Sequence, residues 1–175
     1  SDADFVIEAA FERMDVKHKI FDQCQEVCPK GAIFASNSSH MVPEEIFEKM
    51  KDKNRCLVIH YFYPAERNIL VEVVPGKETD PALVEYLMKL YEFTGKASIK
   101  VKSRYGYAVD PIFEGLFEAT ALTVEKGLAN VKQSDVIAQK ALGMGVGPFT
   151  AHNLAGGNPI TQHGLTEMNT KIMPW

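Results

Sequence analysis

The chain has 175 residues, 46% of them hydrophobic and 24% charged, with a formal net charge of −4. That length suits one full domain, or one and part of a second. The acidic balance argues against nucleic acid as a partner, and no apolar run reaches membrane-spanning length. The start, SDADFVIEAA, lacks the basic segment of a signal sequence. Cys24, Cys28 and Cys56 form an odd set, which suits a reducing, cytoplasmic setting. The CxxxC spacing of the first two reads as one helical stripe of thiols facing a core, and no metal site is expected.

In chain order, DFVIEAA (4–10) reads as a buried strand ending in a carboxylate. Residues 14–28 repeat apolar side chains at helical spacing until Pro29-Lys30-Gly31 stops them. AIFAS (32–36) is a second strand, and NSSH (37–40) has loop chemistry. Pro43 opens a helix expected to run to about Lys53. CLVIHYF (56–62) and ILVEVV (69–74) are strands. Asp80-Pro81 supplies a cap and first-turn proline for a helix that Gly95 ends, and SIKVK (98–102) is a last strand. Alternation of this kind predicts a mainly parallel α/β sheet with helices packed on it. Ligands of such sheets gather at the carboxyl ends of the strands, where Glu8, Ser39 and His60 fall. Beyond about residue 104 no strand pattern returns. Residues 111–127 read as a helix with Ile112, Leu116 and Ala119 on one face. Ser134 is expected to cap a second helix, GMGVGPF (143–149) is a turn, and TAHNLAGGN (150–158) begins a third. These apolar stripes exceed what so short a segment buries alone, which points to a second copy of the chain as partner.

His60 and Glu72 stand out, each inside an apolar strand. A lone carboxylate there costs several kcal/mol. A histidine on a neighbouring strand is its natural partner: one ring N–H is given to the carboxylate and the other nitrogen is left as an acceptor, an oriented general base. Spacing alone favours the plainer arrangement, a satisfied core histidine and a solvated edge glutamate.

The surrounding residues resemble the 3-hydroxyacyl-CoA dehydrogenase family. HYFYPA (60–65) and LVEVV (70–74) resemble its H-F-F-N-P-A and L-V-E-V segments. DFVIEAAFERMDVKHKIF (4–21) resembles D-x-V-I-E-A-x-x-E-x-x-x-x-K, IFASNSSH (33–40) resembles I-x-A-[ST]-N-[ST]-S-S, and LGMGVGPF (142–149) resembles its L-G-x-G-x-P-x-G-P-F turn. The resemblance implies a partial Rossmann-like NAD-binding domain over 1–104, followed by an all-α dimerisation domain over 105–175. It implies NAD as cofactor, an acyl-CoA substrate and a homodimer. His60 would be the base, Glu72 its holder, and Ser39 a hydrogen-bond partner of the substrate oxygen. Glu12, Lys17 and Asn37 would lie on the cofactor side.

GYAVDP (106–111) takes the place of the family's G-F-x-x-N-R turn, so Asp110 replaces an asparagine of the catalytic set. An ionised aspartate only accepts hydrogen bonds and opposes a growing oxyanion. Tyr63 likewise replaces an asparagine. These departures define the alternative, a non-catalytic or altered-chemistry homologue that serves as a binding or oligomerisation module. A further reading is a hydroxy-acid dehydrogenase outside CoA chemistry. The sequence holds no G-x-G-x-x-G turn after a strand, so a portion of a longer polypeptide, binding NAD weakly by itself, is expected.

Overall fold

The computed structural model describes residues 2–157 and Thr166. Asn158, which closes the expected third helical stretch, and the KIMPW end lie outside the described residues. Two compact units divide the chain between Tyr107 and Ala108.

The first unit runs β1 (Phe5–Glu8), α1 (Met14–Val27), β2 (Ile33–Ser36), α2 (Pro43–Ile46), β3 (Cys56–Tyr61), β4 (Leu70–Pro75), α3 (Pro81–Phe93) and β5 (Ala97–Lys100). Its five strands lie in sequence order in one sheet. Pairs β1–β2, β2–β3 and β4–β5 are parallel, each joined through a helix, whereas β3–β4 is antiparallel. The reversal follows from chain length. Segment 62–69 is shorter than the dozen or so residues a parallel crossover needs, so β4 returns beside β3. In the resulting register His60 lies directly opposite Glu72.

Strand alternation divides the core into two layers. Phe34, Cys56, Val58 and Val74 face α1 and α2, where they meet Phe21, Ile46, Phe47 and Met50. Ile33, Ala35, Leu57, Ile59, Val71 and Val73 face α3, where they meet Leu83, Val84 and Leu87. Fully burying one such side chain stabilises by about 1.5–3 kcal/mol. Burial also pushes the Cys56 thiol up to about 12, which leaves it a core hydrophobe. The Asp80 side chain accepts from Ala82 N and starts α3 as expected, and Gly95, at φ 82°, follows its end.

The helix expected over 43–53 is a single turn. Ile46, Phe47 and Met50 all enter one core layer. Phe47 leaves helical geometry (φ −100°, ψ 17°) and turn bonds take over, Glu48 N to Glu45 O and Met50 N to Phe47 O.

The second unit's described residues form α4 (Val109–Glu125), α5 (Val131–Leu142) and α6 (Pro148–Leu154). Asn130, not Ser134, caps α5: its side chain accepts from Gln133 N, and the Gln133 side chain returns to Asn130 N. This capping box starts the helix a turn earlier than expected. Ser134 sits inside the helix and shares a 3.1 Å hydroxyl bond with Thr123 of α4. Asp135 accepts from Phe149 N, Thr150 N and Thr150 Oγ1, fastening the start of α6. A Cβ on Gly147 would stand 2.4 Å from Asp135 Cβ, which is why the turn needs glycine there. Ile112 and Ala119 face solvent, so the apolar stripe of α4 is not a buried one. Among the described residues no helix is long and apolar enough to cross a membrane.

Candidate active site

The carboxyl ends of β1, β2 and β3 lie at one edge of the sheet, with Glu8 opposite Ser36 in register and His60 two residues past the register of Val58. Even-numbered residues of β2 and β3 face the α1 side, so His60 shares that face with Phe34 and Val58. His60 Nδ1 lies 2.8 Å from Glu72 Oε2. Both side chains are buried, at 4% and 0% relative exposure. A carboxylate can only accept, so with Glu72 in that form the shared hydrogen is on Nδ1, and in the neutral ring Nε2 is then the acceptor nitrogen. Among the described residues no side chain or backbone group bonds Nε2. The imidazole ring rests against Phe62, with centroids 4.4 Å apart, and edge-on to Tyr107 at 5.5 Å.

A second polar cluster lies at the ends of β1 and β2. Lys17, 1% exposed, comes from the buried face of α1 together with Phe21 one turn on. Its ammonium meets both Glu8 oxygens at 3.0 Å and Glu12 Oε2 at 3.0 Å. Ser36 Oγ donates to Glu8 Oε2 at 2.6 Å, and Ala10 N to Glu8 Oε1 at 2.6 Å. Ser38 Oγ donates to Glu12 and accepts from Met41 N. Burial by itself would raise the Glu12 carboxyl, but the Lys17 charge, the Ser38 hydroxyl and nearby His40 together hold it below the ordinary range. Glu12 keeps part of its side chain in solvent.

Asn37 follows β2. Its N–H donates to Glu8 O, and its amide oxygen accepts from Tyr61 N at 3.0 Å, tying the ends of three strands together. Ser39 is partly exposed, whereas Ser38 beside it is buried and committed to Glu12 and Met41. Of the two loop serines, Ser39 is therefore the accessible hydroxyl. The structure thus brings His60 to Glu72, and Glu12 to Lys17. Asp110 belongs to the second unit, in the first turn of α4. Tyr63 is exposed.

Sequence reasoning passed over Ser36, Ser38 and Tyr107. Ser36 carried a usable signal: it ends an apolar strand beside another strand that ends in a carboxylate. Tyr107 carried one too, a hydroxyl directly after Gly106, in a turn where the resembled family has phenylalanine.

Parallel βαβ units carrying buried polar side chains at their carboxyl ends define a Rossmann-like dinucleotide-binding unit. Residues 1–104 match the family described as 3-hydroxyacyl-CoA dehydrogenase, NAD binding domain. The chain belongs to the 3-hydroxyacyl-CoA dehydrogenase family, and NAD is the cofactor of this domain. An L-carnitine dehydrogenase of Pseudomonas syringae pv. syringae (strain B728a) is 30% identical over 99% of this chain and 56% of its own length. A 3-hydroxyadipyl-CoA dehydrogenase of Escherichia coli (strain K12) is 32% identical over 88% of this chain and 32% of its own. Among solved structures, (S)-3-hydroxybutyryl-CoA dehydrogenase from Ralstonia eutropha superposes with a TM-score of 0.88 at 26% identity, over 96% of this chain and 59% of that one. The chain spans about half the length of the curated L-carnitine dehydrogenases it matches.

Proposed function

We propose that the protein oxidises the C3 hydroxyl of a 3-hydroxyacyl-CoA, with NAD as acceptor and His60 as general base. The observation that carries this reading is the buried 2.8 Å bond between His60 Nδ1 and Glu72 Oε2, with Nε2 left open. Nε2 takes the hydroxyl proton as the C3 hydrogen departs as hydride and the C3–O bond becomes a carbonyl. The charge that forms on the imidazole is met by Glu72, which costs little because the carboxylate is already in place. Ser39 donates to the substrate oxygen from the loop beside the base. NAD, when bound, supplies the hydride acceptor.

The residues present fit its nicotinamide side. Glu12 is an ionised, partly exposed carboxylate with acceptor capacity for ribose hydroxyls, and Lys17 holds it in place. Asn37 shapes the same side by fixing Tyr61 at the end of β3. Asp110 carries no step in this reading. Dimerisation through the second unit belongs to the same proposal, supported by the exposed Ile112, Leu122, Leu128 and Ile137. A cytoplasmic setting is supported by three free cysteines.

The test is steady-state reduction of a short-chain 3-ketoacyl-CoA by NADH with the full-length protein. His60→Ala lowers kcat by about 10³-fold; a retained rate sinks the assignment. A second reading has a specific observation behind it. Similarity to L-carnitine dehydrogenases extends over 99% of this chain, and carnitine is itself a 3-hydroxy acid without CoA. His60 and Glu72 serve either substrate equally, since both present a secondary alcohol at C3. A free acid outcompeting its own thioester decides for the second reading.

A further inference from the structure

Tyr107 is among the largest fully buried side chains, at 1% exposure. It has φ 48°, the left-handed region that a tyrosine rarely occupies, directly after Gly106 at φ 69°. A side chain persists in that region when its surroundings over-determine it. Here they do. The phenol hydroxyl lies 2.9 Å from Ser38 O and 2.7 Å from Met41 O. Those two carbonyls bracket Ser39, so one hydroxyl closes the loop that presents the serine. The other end of the side chain is just as engaged, with its ring edge-on to the imidazole of His60. Two neighbours reinforce the arrangement: Ser103 Oγ donates to Glu44 and Tyr105 Oη to Glu45. Hydroxyls at alternate positions 103, 105 and 107 thus fasten this segment onto α2 and the loop before it.

We propose that Tyr107 is a positioning residue that fixes the Ser39 loop and the His60 ring relative to one another. The inference rests on the reading of His60 as base and Ser39 as substrate partner. A phenylalanine at this position keeps the ring contact and loses the loop closure. The two functions are therefore separable by substitution.

Tyr107→Phe and Tyr107→Leu are compared with the unaltered full-length protein, using NADH and a short-chain 3-ketoacyl-CoA. Tyr107→Phe lowers kcat about ten-fold, with KM for NADH unchanged, because a misplaced partner slows the chemical step without weakening cofactor binding. Tyr107→Leu, which also frees the His60 ring, lowers kcat on the order of 10²-fold. In a Ser39→Ala background Tyr107→Phe costs nothing further, since the two changes act through one loop. Wild-type kcat in both variants overturns the proposal, as do losses that multiply independently in the double variant. A merely structural role lowers the unfolding temperature and leaves kcat and this coupling untouched. Hydrogen exchange at the Met41 amide speaks independently of turnover: it accelerates in Tyr107→Phe, and unchanged exchange overturns the loop closure. If His60→Ala keeps its rate, the base assignment falls, and the exchange measurement still decides whether Tyr107 holds the loop.

Discussion

Two glutamates of the sheet, Glu8 at the end of β1 and Glu72 within β4, are both buried and each holds a basic side chain. The two sites are finished differently. Around Glu8 the polar atoms are satisfied from within: Lys17 is shared by Glu8 and Glu12, Ser36 and Ala10 N complete Glu8, and Ser38 completes Glu12. Around Glu72 the histidine gives one nitrogen to the carboxylate, and the second is bonded by none of the described residues. A saturated network holds its members still, while an open nitrogen can take a proton. Burial and pairing are common to both glutamates; what differs is the ring nitrogen that none of the described residues bonds.

Lys17→Met is the most severe way to break this contrast. It leaves the Glu8 carboxylate buried without its cation, a loss of about 3–5 kcal/mol. Urea unfolding at pH 7 measures it, and a change below about 1 kcal/mol contradicts the view that the network holds strand ends together. Glu72→Gln acts on the other site. The amide oxygen still accepts from Nδ1, so the fold survives, but the charge that meets the imidazolium is gone. Turnover then falls on the order of 10²-fold, and a full rate excludes Glu72 from the chemistry. The paired serines sharpen the contrast further. Ser38→Ala leaves Glu12 and Met41 N short of a partner and costs about 1–3 kcal/mol of stability. Ser39→Ala leaves stability within about 0.5 kcal/mol and lowers kcat about ten-fold. Reversed results would exchange their roles.

The same contrast explains what was legible in the sequence. A histidine and a glutamate inside apolar strand runs are conspicuous because each is costly without a partner, and the sheet sets them opposite each other. Lys17 was not legible from its surroundings. A lysine on an amphipathic helix normally faces water, and only the packing of α1 over the ends of β1 and β2 turns it inward. Strand and helix alternation reads from the 2- and 3.6-residue periods. The single turn at Pro43 does not: the helical pattern runs on past Ile46 in the sequence, and nothing in it marks the change to turn bonds at Phe47. Asn130 offered a cap as good as Ser134, and Gln133 three residues later was the signal that separated them.

The second unit holds the opposite of Glu8, a shielded carboxyl to which the structure brings more negative charge. Glu114 lies one turn from Asp110 and one from Glu118 on α4, and its Oε2 is buried with no hydrogen-bond partner among the described residues. Burial, then Asp110, then Glu118 push its carboxyl up from 4.5 to about 7. Between those two values the folded chain keeps a proton that the unfolded chain has released, so stability declines as pH rises through that window. A glutamine amide in its place stays neutral at every pH in that range. Glu114→Gln is therefore expected to match the wild type at pH 4.5 and to unfold about 2–4 °C higher at pH 8, a modest gain because solvent screens a half-exposed helix face. Thermal unfolding at the two pH values checks it. An equal difference at both would mean that the shape of the side chain, not its charge, sets the cost. Asp110→Asn in the same experiment should recover part of the gain at pH 8, since it removes the larger of the two neighbouring charges acting on Glu114.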